Sequence, residues 1–224
     1  MKKEIFMPSV ECRMAYVVYT PDTAEDGLPL ILYLHGAGER GTVTEHLDRH
    51  GLPKMLAAGW QIPAIVLCPQ CPVDAVWDNI VFETKVLLDR VAETYHADRS
   101  RISVTGGSMG GFGTWAMGQA FPNFFSALAP LAGGGLSWRC PNLKTTPVHA
   151  YHGGEDGTVP VIYSRLMVDA TNKAGGCAEL MVLEGYGHND GINTAYETLG
   201  VAEWLISQKR TDFSPVPEFC SQYF

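Results

Sequence analysis

Short apolar segments recur along this chain of 224 residues, and residues typical of turns separate them. Several of these segments, such as PLILYLHG, are apolar at nearly every position rather than at every second position. Continuous apolar runs of this length indicate strands that are covered on both faces, as in a parallel sheet. The segments predicted to be strands are 13–20, 29–36, 63–70, 101–107, 125–133, 147–153 and 178–185.

Helical patterns lie between these strands. The clearest covers residues 79–96, where apolar residues recur at intervals of three and four behind Asp78 as a candidate N-cap. Further helices are predicted near 109–120, 160–174 and 192–208. This alternation predicts an α/β fold, with a mostly parallel sheet flanked by helices on both faces. Ligands are then expected beyond the carboxyl ends of the strands.

Composition and charge exclude several classes of protein. Apolar residues make up 46% of the chain and charged residues 18%, as in ordinary globular proteins. The net charge of −8 and the scattered basic residues argue against nucleic acid or a membrane surface as a partner. The first residues, MKKEIFMPSV, contain no apolar run of signal-peptide length. We therefore expect a cytoplasmic protein, unless an export signal has been removed.

One C-x-x-C pair, Cys68 and Cys71, occurs among the six cysteines. It follows the apolar run AIVL and contains a proline, which favours a strand end over a redox-active helix start. The sequence holds no second pair at zinc-site spacing, so a redox or metal role is the minor alternative.

In the segment RISVTGGSMGGFGTWAMG, Ser108 lies among closely spaced glycines. It joins an apolar strand to a helical pattern, so GGSMG satisfies the G-x-S-x-G motif in its strand–turn–helix context. A turn this sharp pushes the serine side chain outward, and it needs Gly106 and Gly110 where a β-carbon would strike a neighbouring element. A glycine-rich turn can also serve packing alone or hold a phosphate, but the Lys-Ser/Thr pair of a P-loop does not follow.

A serine becomes nucleophilic when an imidazole takes its proton and a carboxylate orients that imidazole. The candidate base is His188, in the glycine-lined loop EGYGHNDG after the last predicted strand. The candidate acid is Asp156, in the loop after the preceding strand, because the order Ser, Asp, His is that of α/β-hydrolases. Asp156 could instead only cap the next helix. Its neighbour Glu155 is a weaker candidate for the acid, and Asp190 is too close along the chain to His188 to support it.

Negative charge that develops on an attacked carbonyl oxygen needs backbone N–H donors. The sequence places one at Met109, directly after the nucleophile, and the other at Ala37 in the loop LYLHGAGERG. Three histidines in or beside strands are expected to be buried or to stabilise turns: His35, His149 and His152. Three others are expected to be solvated: His46, His50 and His96.

These motifs together resemble those of the α/β-hydrolase superfamily, specifically the compact dienelactone-hydrolase and prolyl-oligopeptidase-like esterases and the phospholipase/carboxylesterase type. The resemblance rests on LHGAGERG, PQC with a nearby tryptophan, GGSMGG, HGGEDGTVP and GYGH. It implies a serine hydrolase with Ser108, Asp156 and His188 as the catalytic triad and without a cofactor. One departure is that NDGINTAYE follows the histidine, where relatives often have an aromatic residue.

The segment 133–146 is too short to form a helical cap domain, so we expect an open cleft. Such a cleft suits short acyl groups, or an acyl or feruloyl group carried on a larger carbohydrate. The candidate substrate-binding residues are Trp77, Trp138, Glu39 and Arg40. For the two tryptophans, ordinary packing is an equally good interpretation.

The leading hypothesis is an esterase that works through an acyl-serine intermediate. Two alternatives remain, a serine peptidase that acts on short peptides and a hydrolase-like binding protein without catalysis, although the latter usually lacks a triad residue. A single domain is expected over residues 1–208. The tail, 209–224, either wraps the domain surface or meets a second subunit, so a homodimer is one option.

Overall fold

An eight-stranded sheet organises the computed structural model, which describes residues 1–23 and 26–212. Across the sheet the strands lie in the order β1-β2-β4-β3-β5-β6-β7-β8. Strand β2 runs antiparallel to β1 and β4, and all other neighbours are parallel. The strands are β1 (Lys2–Phe6), β2 (Tyr16–Thr20), β3 (Leu30–Leu34), β4 (Ile65–Pro69), β5 (Ile102–Gly107), β6 (Ala127–Leu131), β7 (Val148–Gly153) and β8 (Ala178–Leu183).

Six α-helices connect or follow the strands in the described part of the chain. They are α1 (Gly51–Ala57), α2 (Val81–Thr94), α3 (Met109–Ala120), α4 (Ile162–Lys173), α5 (His188–Thr198) and α6 (Val201–Ser207). Short 3-10 segments occupy Ala37–Glu39, Thr44–Arg49, Trp77–Asn79, Arg99–Arg101 and Ser137–Leu143.

The two faces of the sheet bury separate apolar cores. On β3, every residue of LILYL is buried. Leu30, Leu32 and Leu34 pack with residues of α2, α3 and α4, whereas Ile31 and Tyr33 pack on the opposite face with residues of α1, α5 and α6. Because successive side chains of a strand point to opposite faces, a strand covered on both sides must be apolar throughout. The predicted fold class is thus confirmed, with helices on both faces of the sheet.

All seven predicted strands are confirmed, but the sequence did not predict β1. Its sequence, KKEIF, is charged and largely exposed because β1 is the edge strand, so it lacks the apolar run that marked the others. The single helix predicted over 192–208 is wrong. Helix α5 already begins at His188, and Gly200, with φ at +66°, separates it from α6.

The proposed cap at Asp78 is also wrong. Asp78 lies inside the 3-10 turn Trp77–Asn79, and the N-cap position of α2 is Ile80, which offers no side-chain hydrogen bond. The side chain of Asn79 caps the start of that turn instead, because its oxygen accepts a hydrogen bond from the N–H of Val76 (3.1 Å). The helix therefore starts later than the polar residue suggested.

The connection between β6 and β7 contains one 3-10 segment and no cap domain, as the sequence predicted. The carboxyl edge of the sheet is therefore not covered by a helical lid from this connection. Within the described ranges, none of the helices combines the length and the apolar character that crossing a bilayer requires.

The start of the predicted tail packs against the domain. Arg210 is buried, and its guanidinium group donates hydrogen bonds to the carbonyl of Phe125 (2.8 Å) and to Oδ1 of Asn123 (2.6 Å). The rest of the predicted tail, residues 213–224, lies outside the described residues. The backbone therefore continues to contact the domain beyond residue 208.

The C-x-x-C pair lies at the end of a strand, as predicted. Strand β4 ends at Pro69, and both Cys68 and Cys71 are buried free thiols. Burial raises the pKa of Cys71 to about 11 and raises that of Cys68 as well. Thiols with raised pKa values are poor nucleophiles at neutral pH, which is the opposite of what a redox-active pair requires.

Candidate active site

Ser108 lies in the turn between β5 and α3, at the carboxyl edge of the sheet. Its backbone angles, φ 58° and ψ −121°, fall in a region that residues with side chains rarely adopt. The N–H of Ser108 donates to the carbonyl of Leu131 (3.0 Å), and the N–H of Phe112 donates to the carbonyl of Ser108 (3.0 Å). The strained turn is thus held from both sides, and such strain is typical of a nucleophile at a sharp strand-to-helix turn.

Close packing explains the glycines around Ser108. A β-carbon at Gly110 would overlap the carbonyl oxygen of Leu34 and would lie 2.9 Å from that of His35. A β-carbon at Gly106 would lie 2.8 Å from the carbonyl oxygen of Gly110. Both positions therefore exclude a side chain, as the sequence predicted, and their glycines let the start of α3 approach the end of β3.

A short hydrogen bond joins the predicted base to the predicted acid. Nδ1 of His188, the first residue of α5, lies 2.6 Å from Oδ2 of Asp156 in the loop after β7. Oδ1 of Asp156 accepts hydrogen bonds from the N–H groups of Thr158 (2.9 Å) and Val159 (2.8 Å). Burial alone would raise the pKa of Asp156, but the hydrogen bonds that it accepts outweigh burial and lower the pKa. The ionised carboxylate therefore accepts the bond from Nδ1–H, which leaves Nε2 of His188 as the basic nitrogen.

Two buried histidines support the loops around this pair, as the sequence predicted for them. Nδ1–H of His35 donates to the carbonyl of Gly36 (2.5 Å), and its Nε2 accepts a hydrogen bond from the N–H of Cys71 (2.9 Å). Nε2 of His152 lies 3.3 Å from Oδ2 of Asp156. Burial lowers the pKa of His152 and lowers that of His35 to about 4. The ring of His35 is therefore neutral at pH 7.

These histidines make the stability of the fold depend on pH. The pKa of His35 falls from an ordinary value of 6.5 to about 4 in the folded state, so its stabilising effect is complete above pH 6.5. Between pH 6.5 and 4 the unfolded chain binds a proton that the folded chain does not. We expect the free energy of unfolding to fall by about 3 kcal/mol from this residue as the pH drops through that window.

Urea unfolding of the wild type and of His35→Gln between pH 7 and pH 4 tests this expectation. The variant should show a clearly shallower decline, although His152 contributes a decline of the same sign. A variant of the partly exposed His46, His46→Gln, serves as the control and should follow the wild type. An equal decline in wild type and His35→Gln would contradict the prediction.

Ser108 and His188 line one cavity of about 280 Å³ at the carboxyl edge of the sheet. Asp156 lies behind His188 and is 8% exposed. The cavity walls come mainly from the loop after β3 and the first turns of α1 and α5. The lining residues are Tyr33, Gly36, Ala37, Gly38, Glu39, His50, Gly107, Ser108, His188, Asn189, Ile192 and Asn193.

The two residues predicted to donate oxyanion hydrogen bonds both begin helical segments. Ala37 starts the 3-10 turn after β3 and lines the cavity, and Met109 starts α3 directly after Ser108. An N–H group at the first position of a helix has no acceptor within that helix. The side chain of Met109 lies in a neighbouring hollow, which it lines together with Val76, Asp78 and Phe112.

The structure corrects the assignment of Trp77 as a substrate-binding residue. Trp77 is 1% exposed, and its indole N–H donates to the carbonyl of His35 (2.9 Å). A β-carbon at Gly113 of α3 would lie 2.5 Å from Cβ of Trp77, so the tryptophan packs directly against α3. Trp77 is therefore a core residue that supports the loop after β3.

Of the other three predicted substrate-binding residues, Glu39 lines the cavity, whereas Arg40 and Trp138 do not. Nε of Arg40 donates to the carbonyl of Ala37 (3.1 Å), and its Nη1 lies 3.5 Å from the carbonyl of Val73. Arg40 therefore connects its own loop to the loop after β4. Trp138 is 55% exposed on the 3-10 segment between β6 and β7.

Apart from glycines, five of the cavity residues were not predicted: Tyr33, His50, Asn189, Ile192 and Asn193. His50, expected to be solvated, has a buried Nδ1 without a hydrogen-bond partner among the described residues. The N–H of Gly51 donates to Oδ1 of Asn193 (3.1 Å), which joins the start of α1 to α5. Asn189 and Asn193 are about one helical turn apart, but that spacing is informative only once the helix is known to begin at His188.

No protein-family model matches this chain. A curated relative, poly(3-hydroxyalkanoate) depolymerase C of Paucimonas lemoignei, is 34% identical over 74 residues, which are 33% of this chain and 17% of the depolymerase. The similarity thus covers less than one fifth of that relative.

Solved structures of esterases match most of the chain. A thermostable esterase is 27% identical with a TM-score of 0.78, and the match covers 93% of this chain and 63% of the esterase, so this chain spans less than two thirds of it. The feruloyl esterase module of Clostridium thermocellum, 17% identical with a TM-score of 0.68, covers 88% of this chain and 86% of its own and shows the shared fold alone. The resemblance drawn from the motifs is confirmed at the level of the superfamily, and the chain belongs to the α/β-hydrolase superfamily.

Proposed function

We propose that this protein hydrolyses carboxylic esters through an acyl-serine intermediate, with Ser108 as nucleophile, His188 as base and Asp156 as orienting acid. The observation that supports this most is the 2.6 Å contact between His188 and Asp156 beside a cavity that His188 shares with the strained Ser108. The similarity to a thermostable esterase favours an ester as the bond that is cleaved.

In the proposed reaction, Oγ of Ser108 attacks the ester carbonyl while Nε2 of His188 takes the hydroxyl proton. Asp156 keeps the imidazole oriented and stabilises its positive charge. The proton then passes to the oxygen of the leaving alcohol as the ester C–O bond breaks, which produces the acyl-serine and a free alcohol. Water attacks the acyl group with the same nitrogen as base, so the acid is released and Ser108 is regenerated.

The negative charge of each tetrahedral intermediate is assigned to two backbone donors, the N–H groups of Ala37 and Met109. Met109 follows Ser108 in the chain, at the positive end of α3, and Ala37 lines the same cavity as Ser108. Donors that are already oriented before the reaction stabilise such charge without reorganising.

The proposed substrates have a short acyl group, or an acyl or feruloyl group attached to a larger carbohydrate. A cavity of about 280 Å³, over which the described residues form no cap domain, accommodates a small group and leaves space for a bulky alcohol outside. Much faster hydrolysis of long-chain than of acetyl esters would contradict this part of the proposal.

A fluorophosphonate probe followed by peptide mass spectrometry tests the function directly. We expect one label per chain, at Ser108, because the probe reacts with a serine whose proton an adjacent base removes. Prior incubation with p-nitrophenyl acetate should slow the labelling. No label, or a label at another residue, would favour a binding protein without catalysis over the proposal. Faster cleavage of aminoacyl p-nitroanilides than of p-nitrophenyl acetate would instead assign a peptidase.

A further inference from the structure

We propose that Glu39 selects esters that carry a hydrogen-bond donor near the scissile bond, above all an ammonium or hydroxyl group, and disfavours esters that carry a carboxylate there. The inference rests on the proposed function, since it concerns the substrates of the same cavity. It assigns Glu39 a role in specificity rather than in the chemical steps.

The carboxylate of Glu39 lies beside the nucleophile. Glu39 lines the cavity and is 8% exposed. A β-carbon placed on Gly36 would lie 3.1 Å from Oε2 of Glu39 and 3.7 Å from Cβ of Ser108. A single methyl group would thus touch both residues, so a substrate that is bound at Ser108 passes close to this carboxylate.

No cationic side chain neutralises that carboxylate within the described residues. Its nearest ion-pair contact is Nδ1 of His35 at 3.7 Å, but that nitrogen donates its hydrogen to the carbonyl of Gly36, and the buried ring is neutral at pH 7. The guanidinium group of Arg40 is directed to the backbone carbonyls of Ala37, Val73 and Ala75. Glu39 therefore offers a hydrogen-bond acceptor that the described side chains leave unused.

The backbone of Glu39 is fixed by other residues, so its carboxylate is not needed to hold the loop. The side-chain amide of Gln70 donates to the carbonyls of Glu39 (2.7 Å) and Val43 (2.9 Å). Gln70 is fully buried, and it fixes the loop from beneath. The carboxylate is consequently positioned by the loop and does not itself bind the loop in place.

A buried carboxylate without donors is costly, and a ligand that supplies donors removes part of that cost. Charge-assisted hydrogen bonds are also stronger than neutral ones. A substrate carboxylate in the same place would add repulsion to the desolvation. The cavity wall carries other polar groups as well, since Nδ1 of His50 has no hydrogen-bond partner among the described residues and the wall includes Asn189 and Asn193. These groups can contact the polar part of a substrate.

Two series of esters test the inference, because the carboxylate could face either side of the scissile bond. In the first, the alcohol of an acetyl ester varies: 2-(dimethylamino)ethanol, whose protonated amine carries one N–H donor, its uncharged isostere 3-methylbutanol, and 4-hydroxybutanoate. In the second, the acid of a methyl ester varies: β-alanine, butyric acid and succinic acid as its monomethyl ester. In at least one series we expect the kcat/KM of the ammonium ester to exceed that of the carboxylate ester by about tenfold or more.

The variant Glu39→Gln should reduce that ratio by about tenfold, because the amide keeps the shape of the side chain and removes its charge. The control Glu45→Gln changes the net charge equally at an exposed residue of the 3-10 turn Thr44–Arg49 and should leave the ratio unchanged. Comparison of the two variants separates a contact between substrate and Glu39 from the general electrostatic effect of a protein with a net charge of −8. Urea unfolding of Glu39→Gln should show no loss of stability, whereas a structural carboxylate would produce one.

Three outcomes are decisive. Hydrolysis of the uncharged esters by the wild type, with equal rates for the ammonium and carboxylate esters in both series, would overturn the inference and leave the proposed function standing. An unchanged ratio in Glu39→Gln would also overturn it. Failure to hydrolyse any ester, or hydrolysis that persists in Ser108→Ala, would instead reject the proposed function, and the inference with it.

Discussion

Replacement of Ser108 by alanine should lower kcat for p-nitrophenyl acetate by about 10⁴-fold or more and leave the fold unchanged. The variant lacks the oxygen that forms the acyl-enzyme, so only binding and oxyanion stabilisation remain to assist attack by water. The turn keeps its backbone hydrogen bonds to Leu131 and Phe112, which do not involve the hydroxyl group. Steady-state kinetics measure the loss, and circular dichroism with urea unfolding measures the fold.

Ser207→Ala is the matched control, because Ser207 is exposed at the end of α6 and far along the chain from the cavity residues. It should retain wild-type turnover. If Ser108→Ala retained more than about one hundredth of wild-type kcat, Ser108 would not be the nucleophile, since a lost nucleophile costs far more than that. The candidate site would then have to be reassigned.

The turn that carries Ser108 could be predicted from sequence because its requirements are local. A sharp turn from strand to helix needs glycines at fixed offsets from Ser108, and the same offsets appear in the primary structure. The atoms that exclude a side chain at Gly110 belong to the end of β3, but the G-x-S-x-G motif already indicates a glycine at this position. Local geometry and sequence pattern thus carry the same information at this point.

The contact between His188 and Asp156 depends on sheet topology that the apolar segments already implied. Strands β7 and β8 are parallel neighbours, so the loops after them emerge at the same edge. The N–H of Gly154 donates to the carbonyl of Leu183 (2.8 Å), and the N–H of Glu155 donates to that of Tyr186 (3.0 Å). These bonds join the loop that carries Asp156 to the loop that carries His188. The positions of the two residues after consecutive predicted strands therefore indicated that they could meet.

The cavity wall could not be predicted in the same way. His50 and Asn193 are far apart in the chain, and the bond between Gly51 and Asn193 that brings α1 to α5 leaves no periodic or compositional signal. Trp77 could not be assigned from sequence for a related reason. Substrate contact and ordinary packing were equally good interpretations, and only the approach of α3 through Gly113 reveals that the side chain is buried.

Replacement of Gly110 by alanine should destabilise the protein by about 3 kcal/mol or more, or prevent recovery of folded protein. In an ordinary helix interior the same change stabilises by about 1 kcal/mol, so the opposite sign reports the tertiary contact. The new β-carbon would overlap the carbonyl oxygen of Leu34 and lie 2.5 Å from its carbonyl carbon, and both atoms belong to a fully buried strand that cannot move aside. Helix α3 would have to shift away from β3.

The matched control is Gly157→Ala, in the loop that carries Asp156. A β-carbon at Gly157 meets no atom within 4 Å, so this variant should unfold within about 0.5 kcal/mol of the wild type. Urea unfolding of both variants gives the comparison, and the yield of soluble protein gives it if Gly110→Ala does not fold. Wild-type stability of Gly110→Ala would mean that α3 lies farther from β3 than described here. The position of Ser108 would then lose its structural basis, because the same approach of helix to strand sets the strained turn that presents its hydroxyl group to the cavity.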